Sequence, residues 1–183
     1  MRIISGIYGG LQLVSKIPPN IRPTTDLSRE SLFNVISNLI DFTSIRVLDL
    51  FAGTGALGIE AISRGALFVD FVDNSNRSTS VIKMNLEKLK IDRKKYIIHK
   101  QDVTKMLKNE LVSYDLIFAD PPYDVHCFEE VVHNILHNRT LQDDGMIVYE
   151  LSSTQSVIVP DEIEIIKTKK FGKSKFYFLK YRK

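Results

Sequence analysis

Arg46-Val47-Leu48-Asp49-Leu50-Phe51-Ala52-Gly53-Thr54-Gly55-Ala56-Leu57-Gly58-Ile59-Glu60-Ala61-Ile62-Ser63-Arg64-Gly65 is the stretch that decides the fold. Its first five residues are a short apolar run that reads as a buried strand. Residues 51–55 read as a glycine-bearing loop, 56–64 as a helix, and Gly65 as its C-cap. A strand that turns through small residues straight into a helix is the first half of a βαβ unit. The pattern recurs downstream. Residues 67–72 read as a second strand that ends at Asp73, and 75–90 as a helix with Val81, Ile82, Leu86 and Leu89 turned inward. Residues 96–99 read as a third strand ending near Asp102, and 103–111 as a short helix. A fourth strand leads to Asp120, a helix spans 129–137, and 146–150 form a fifth strand. Residues 163–168 and 175–181 make a terminal pair around Gly172. Strands alternating with helices at this spacing imply an α/β fold, a doubly wound and mostly parallel sheet.

Upstream, Leu32, Phe33, Val35, Ile36 and Leu39 recur at helical spacing, with Asp26 or Ser28 as the cap. Residues 2–17 read as two short strands in a hairpin with glycine at the turn. Pro18-Pro19-Asn20 breaks them from an extended linker at 21–26. Residues 1–25 are too few to bury a core of their own. They are expected to be a β-hairpin and linker appendage to a domain spanning 26–183.

The 183 residues suit one domain, with 44% hydrophobic and 26% charged residues. No apolar run is long enough to span a bilayer, and the first residues lack the pattern of a signal peptide. Cys127 is the single cysteine. It and His99, His126, His133 and His137 have no zinc-ligand spacing, so no structural metal is expected. Together these point to a cytoplasmic protein. The net charge of +3 is unevenly distributed: residues 1–29 carry +3 and 167–183 carry +8, which leaves −8 for 30–166. Basic ends around an acidic middle suit a polyanion partner. Phe171, Phe176, Tyr177, Phe178 and Tyr181, interleaved with the terminal lysines, alternate as a strand would and argue against a disordered tail.

The chemistry is concentrated at the ends of strands. Gly53-x-Gly55-x-x-Gly58 matches a dinucleotide fingerprint, which by itself is a weak signal. Asp49 stands before those glycines. A carboxylate there repels a pyrophosphate and suits an amino-acid ammonium, which favours S-adenosylmethionine over NAD. Asp73 is 20 residues beyond Gly53, where an acid accepts from ribose hydroxyls. Asp102 ends the third strand, where an acid accepts from an adenine amino group. The fourth strand runs into Asp120-Pro121-Pro122-Tyr123. The prolines stiffen the loop and bias Asp120 towards an extended conformation at the sheet edge where ligands of open α/β sheets bind.

These residues resemble a known group. The segment 49–55 followed by Asp120-Pro121-Pro122-Tyr123 resembles the S-adenosylmethionine-dependent amino methyltransferases. Arg22-Pro23-Thr24, Arg29-Glu30-Ser31-Leu32-Phe33-Asn34, the segment 53–61, Ser63-Arg64-Gly65-Ala66, Arg2-Ile3-Ile4-Ser5-Gly6 and Phe171-Gly172-Lys173-Ser174 resemble, more narrowly, the bacterial family that methylates N2 of a guanine in 16S ribosomal RNA. The chain departs at Leu27, where the family often has arginine, and at Asp73, where it commonly has glutamate. The resemblance implies a seven-stranded Rossmann-like sheet whose last strand is antiparallel. It implies a cofactor site at Asp49, Phe51, Ala52, Gly53, Thr54, Gly55, Asp73, Asn74, Asp102 and Val103, and catalysis at Asp120, Pro121, Pro122 and Tyr123. It also implies ribosomal RNA as partner, in a partly assembled small subunit, with Arg2, Arg22, Thr24, Lys169, Lys170, Lys173 and Lys175 as substrate contacts.

The implied chemistry suits the residues. Asp120 and the Pro121 carbonyl would accept the hydrogens of an exocyclic amine and free its lone pair, while Tyr123 stacks on an extruded base. Two other readings stay open. DNA adenine-N6 or cytosine-N4 methylation is one, although 183 residues leave no room for the usual target-recognition domain. A nucleic-acid-binding module without activity is the other. Protein glutamine methyltransferases carry Asn-Pro-Pro-Tyr in place of Asp120-Pro121-Pro122-Tyr123.

Overall fold

The structure is a computed structural model that describes residues 1–15, 26–122 and 124–183. The expected break and linker before Asp26, with Arg22 and Thr24, and the expected stacking residue Tyr123 lie outside the described residues. The chain order is α1 (Asp26–Ser37), β1 (Arg46–Leu50), α2 (Ala56–Arg64), β2 (Phe68–Asp73), α3 (Asn76–Lys88), β3 (Tyr96–Lys100), α4 (Val103–Asn109), β4 (Tyr114–Ala119), α5 (Phe128–His137), β5 (Leu141–Ser152), β6 (Ile163–Phe171) and β7 (Ser174–Tyr181). The strands form one seven-stranded sheet in the order β3-β2-β1-β4-β5-β7-β6. The first five strands pair in parallel, and β7 runs antiparallel to both β5 and β6.

Side-chain alternation along the strands sorts the core into two layers. Val47, Phe118, Val148, Phe176 and Phe178 face α1, α2 and α3 with Leu32, Phe33, Ile59, Ile62, Ile82 and Leu86. Leu48, Ile117, Ile147, Tyr149, Tyr177 and Leu179 face α4 and α5 with Leu107, Val131, Val132 and Ile135. β5 begins five residues earlier than its apolar run suggests. After Tyr114 pairs with Leu141 the register slips, and pairing resumes at Leu116 with Met146. The exposed polar residues Gln142, Asp143 and Asp144 fill that slip and hide the extension from a reading based on hydrophobicity.

The amino-terminal segment has less strand than its pattern suggests. Its pairing is one antiparallel bridge, Arg2 with Gln12, supported by the Ile3 N–H to Leu11 O and Leu13 N–H to Met1 O bonds. Instead of extending its own ladder, the segment spends its backbone donors on α2. The Ile4 and Ser5 N–H groups donate to the buried carboxylate of Glu60 at 2.7 and 3.0 Å. Ile3 and Leu13 join the core between the sheet and the helices. Gly6 passes so close to Ser63 that no side chain would fit there.

β1 is the switch point of the sheet. The chain moves from β1 outward to β2 and β3, then returns to pair β4 on the other side of β1. Loops after β1 and β4 therefore diverge and open a crevice at the carboxyl ends of the strands. The β6–β7 turn lies at the same end of the sheet, because Ser174 opposes Ser152 and Phe176 opposes Glu150 at the end of β5.

Candidate active site

The loop after β1 is held in an uncommon conformation. Phe51, Gly53 and Gly55 have φ of 56°, 55° and 75°. For an aromatic residue such as Phe51 this costs about 1–3 kcal/mol, and such strain collects at functional sites. Neighbouring bonds hold it: the Ala52 N–H donates to Val72 O at 3.0 Å and the Gly55 N–H to Ala52 O at 2.7 Å. A Cβ on Gly53 would meet nothing closer than the Phe51 carbonyl at 3.8 Å, so this backbone faces open space. Gly58 is needed for the opposite reason. A Cβ there would sit 2.4 Å from Phe71 Cε1 and 2.9 Å from Asp49 Oδ2, so its bareness lets α2 press against β1 and β2. Phe51, Ala52, Gly53 and Thr54 are half-buried along this loop.

The predicted acids converge on the loop. Asp49 is 2% exposed, and its Oδ2 accepts the Gly58 N–H at 2.9 Å. Burial, with the charge of Asp73 as a lesser cause, pushes its carboxyl up to about 8, against the pull of the Gly58 bond. Asp73, at the end of β2, accepts the Gly53 N–H on Oδ2 at 2.9 Å and the Ser75 N–H on Oδ1 at 2.8 Å. It therefore ties the glycine loop to the start of α3, with Asn74 exposed beside it. Asp102 differs from the sequence expectation in one respect. It is the N-cap of α4, and its Oδ1 accepts the Lys105 N–H at 3.1 Å and the Thr104 hydroxyl at 2.8 Å. Those bonds hold its carboxyl below the usual carboxylate range, and Val103 is buried next to it as the first residue of the helix.

Asp120 leaves the end of β4 opposite this loop, with its N–H 3.5 Å from Leu50 O. It is half-buried, Pro121 is buried and Pro122 is exposed. Burial pushes the Asp120 carboxyl well up, and so do the charges of Glu150 and Asp49 and a hydrogen bond with Glu150. Glu150, the 4% exposed residue one step beyond the paired Tyr149 on β5, was missing from the sequence-based site. The rule that found Asp49, Asp73 and Asp102, an acid at the end of a strand, applied to it equally.

The lysines occupy the neighbouring part of the same edge. Lys169 opposes Phe176 and Lys170 opposes Lys175, so they lie on opposite faces of the β6–β7 ribbon, with Lys173 in the exposed turn. Lys175 Nζ lies 4.6 Å from the centre of the Tyr177 ring. Adjacent strands are about 4.8 Å apart, so this basic ribbon begins within two strands of Asp120. Arg2 is not brought to the crevice by any described contact. Its side chain lies 3.6 Å from Asp26, and its carbonyl accepts from the buried Arg29. Among the described residues no three His, Cys, Asp or Glu side chains are grouped to hold a metal ion, and no helix is long and apolar enough to cross a membrane.

A family model described as "Conserved hypothetical protein 95" matches residues 1–180. The chain belongs to that family. It is 35% identical over 167 residues to ribosomal RNA small subunit methyltransferase D of Buchnera aphidicola, covering 91% of this chain and 86% of that one. The protein of the same name from Haemophilus influenzae is 30% identical, covering 94% and 89%. Among solved structures the yhhF protein of Escherichia coli superposes with a TM-score of 0.86 at 28% identity, covering 99% of this chain and 97% of that one. The yhhF protein thus shares the fold of this chain over nearly its whole length.

Proposed function

We infer that this protein is an S-adenosylmethionine-dependent methyltransferase that acts on the exocyclic N2 amine of a guanine in 16S ribosomal RNA. The observation that carries the reading is the meeting, at one switch point, of the Asp49–Gly55 loop with Asp120-Pro121-Pro122, beside a basic ribbon. Family membership and the names of the relatives support RNA of the small subunit as the substrate. The reading extends to a partly assembled small subunit as the physical substrate, and to the cytoplasm, where such particles occur.

The residues fit the cofactor. Asp49 is a buried acid raised in pKa by its surroundings, so an arriving ammonium relieves an electrostatic cost that the empty fold bears. The bare backbone at Gly53 admits a close ligand. Asp73 still has lone pairs for ribose hydroxyls, and Asp102 would accept from an adenine amine. When bound, S-adenosylmethionine would supply an electrophilic methyl on its sulfonium, and Asp49, the Gly53 backbone, Asp73 and Asp102 would hold it.

The rest of the work belongs to the chain. The amine of guanine is conjugated with the ring and is a poor nucleophile. Asp120 and the Pro121 carbonyl accept hydrogen bonds from its two N–H groups and turn it towards tetrahedral geometry, freeing the lone pair; one of those protons leaves to solvent once the methyl is attached. Proline at 122 contributes no N–H to compete for those acceptors. Tyr123 stacks on the extruded base, a contact worth about 1–3 kcal/mol. The lysines of the β6–β7 ribbon hold the phosphates.

The test is transfer of labelled methyl from S-adenosylmethionine to naked 16S RNA, to partly assembled small subunits and to duplex DNA, with the modified base mapped. Labelling at guanine N2 of the RNA or particle is expected. Labelling of duplex DNA alone would overturn the reading. Asp120→Ala should abolish turnover and leave cofactor affinity within about threefold, and near-normal turnover would remove Asp120 from the mechanism.

A further inference from the structure

Asp120 is not alone at the end of β4. Glu150 follows Tyr149, which is in register with Ala119, so the two acids occupy equivalent positions on adjacent parallel strands and point to the same face of the sheet. Val148 and Phe176, both nearly inaccessible, lie on that face beside Glu150. Asp120 is half-buried at the crevice and Glu150 is 4% exposed behind it. The register sets Glu150 beside Asp120, and a hydrogen bond with Glu150 is among the causes that raise the Asp120 carboxyl. Such a bond requires a proton on one of the two, because ionised carboxylates are acceptors only. A single bond of this kind needs only one oxygen of Asp120.

We propose that Glu150 is a positioning residue of the methyl-transfer site, holding Asp120 in a carboxyl pair that shares one proton and leaves one Asp120 oxygen turned towards the substrate amine. The inference rests on the reading of Asp120 as the acceptor of the amine hydrogens. The pair follows the logic of two adjacent acids in an apolar site: like charges at contact do not both ionise, and the proton belongs to the pair rather than to either residue. Two other titratable groups lie within electrostatic reach of it. Asp49 from β1 acts on Asp120 as a like charge, and the Tyr149 hydroxyl from β5 is pushed up in part by the charge of Asp120. Where Asp49 is itself ionised, at pH above about 8, its charge reinforces retention of the proton.

Two variants separate this role from a structural one. Glutamine at 150 keeps a donor for Asp120 but cannot share a proton, whereas alanine removes the contact. Glu150→Ala should lower the single-turnover rate about 10- to 100-fold, the loss expected for one charge-assisted hydrogen bond. KM values for cofactor and RNA should change less than twofold. Glu150→Gln should restore the rate to within about threefold of wild type. The protein alone gives a second readout. The infrared carbonyl band of protonated carboxyls at neutral pH should lose intensity in Glu150→Gln, beyond the share that Asp49 contributes to both proteins. An unchanged band would overturn the shared proton, and equal rates in the alanine variant and wild type would overturn the positioning role. If the wild-type protein transfers no methyl to RNA, the functional reading fails, and the infrared comparison still decides whether the pair exists.

Discussion

Replacing Asp49 by asparagine should make the cofactor-free protein more stable while disabling it. In the fold this carboxyl is 2% exposed and pushed up to about 8; in the unfolded chain it titrates near its ordinary value of 3.8. Because the folded value is the higher one, the fold binds the proton more tightly. The wild type therefore bears no penalty below the unfolded pKa, a growing one as pH rises from about 4 to about 8, and a constant one above that. At pH 7 the interval is about 3 pH units, and at 1.36 kcal/mol per unit the penalty is about 4 kcal/mol. Asparagine preserves the shape and an oxygen for the Gly58 N–H but still buries an amide, so roughly 2–4 kcal/mol should be recovered. For a domain of this size that raises the melting temperature by roughly 4–16 °C. Melts of both proteins without cofactor, from pH 4 to pH 9, measure the difference. It should be small at pH 4, grow with pH and level off beyond pH 8. Addition of S-adenosylmethionine should then raise the melting temperature of the wild type and leave Asp49→Asn unmoved. A variant less stable than wild type at pH 8, or a gain that does not change with pH, would refute the account of Asp49 as a strained charge awaiting a cation.

Four further outcomes are expected. Gly58→Ala should destabilise the fold by about 1–3 kcal/mol in urea melts, because its methyl would collide with Phe71 and crowd Asp49. Tyr114→Phe removes the donor 2.9 Å from the buried Asp70 and should cost about 1–3 kcal/mol by the same measurement. His99, 2.7 Å from Asp70, has its pKa raised chiefly by that hydrogen bond. Its contribution to stability is thus full below the ordinary histidine value and is lost as pH rises through the raised folded one, so the gap between wild type and His99→Gln in melting temperature should narrow on going from pH 6 to pH 9. Neutralising Lys169, Lys170, Lys173 and Lys175 together should weaken RNA binding and reduce the slope of log affinity against log salt by up to roughly 3, an unchanged slope reassigning the ribbon to structure.

The sheet was legible in the sequence because buried parallel strands are short apolar runs, and the five helices between and before them carry apolar residues at helical spacing. Tyr114–Ala119 and Arg46–Leu50 stood out for that reason. What escaped was structure made by polar residues. Glu60 and Asn85 are polar residues on α2 and α3 that the apolar spacing does not pick out, yet both are buried as partners for the backbone of the amino-terminal segment. Glu60 takes the Ile4 and Ser5 N–H groups, and Asn85 links Val14 to the carbonyl of Thr54 in the glycine loop. Such pairings join residues 31 to 71 positions apart, and no local pattern marks them. The segment reads as a free hairpin only while its donors are assumed to pair with each other.

Glu150 marks the same boundary from the side of chemistry. Asp49, Asp73, Asp102 and Asp120 each lie at or next to the end of a strand, so each could be singled out as an acid at the carboxyl edge of the sheet. Glu150 also ends an apolar run, but its meaning depends on which strand lies next to β4 and on the register between them, and both are set by the fold. The register places the fifth acid behind the fourth. A buried carboxylate beside another is unfavourable unless a proton joins them. Under the proposed mechanism this arrangement falls at a strand end where an acceptor is held in a fixed orientation, beside Asp49 and Phe51, which bear electrostatic and conformational costs of their own. Three unfavourable features within one crevice of an otherwise well-packed sheet are what a site shaped for a charged ligand and an oriented amine requires.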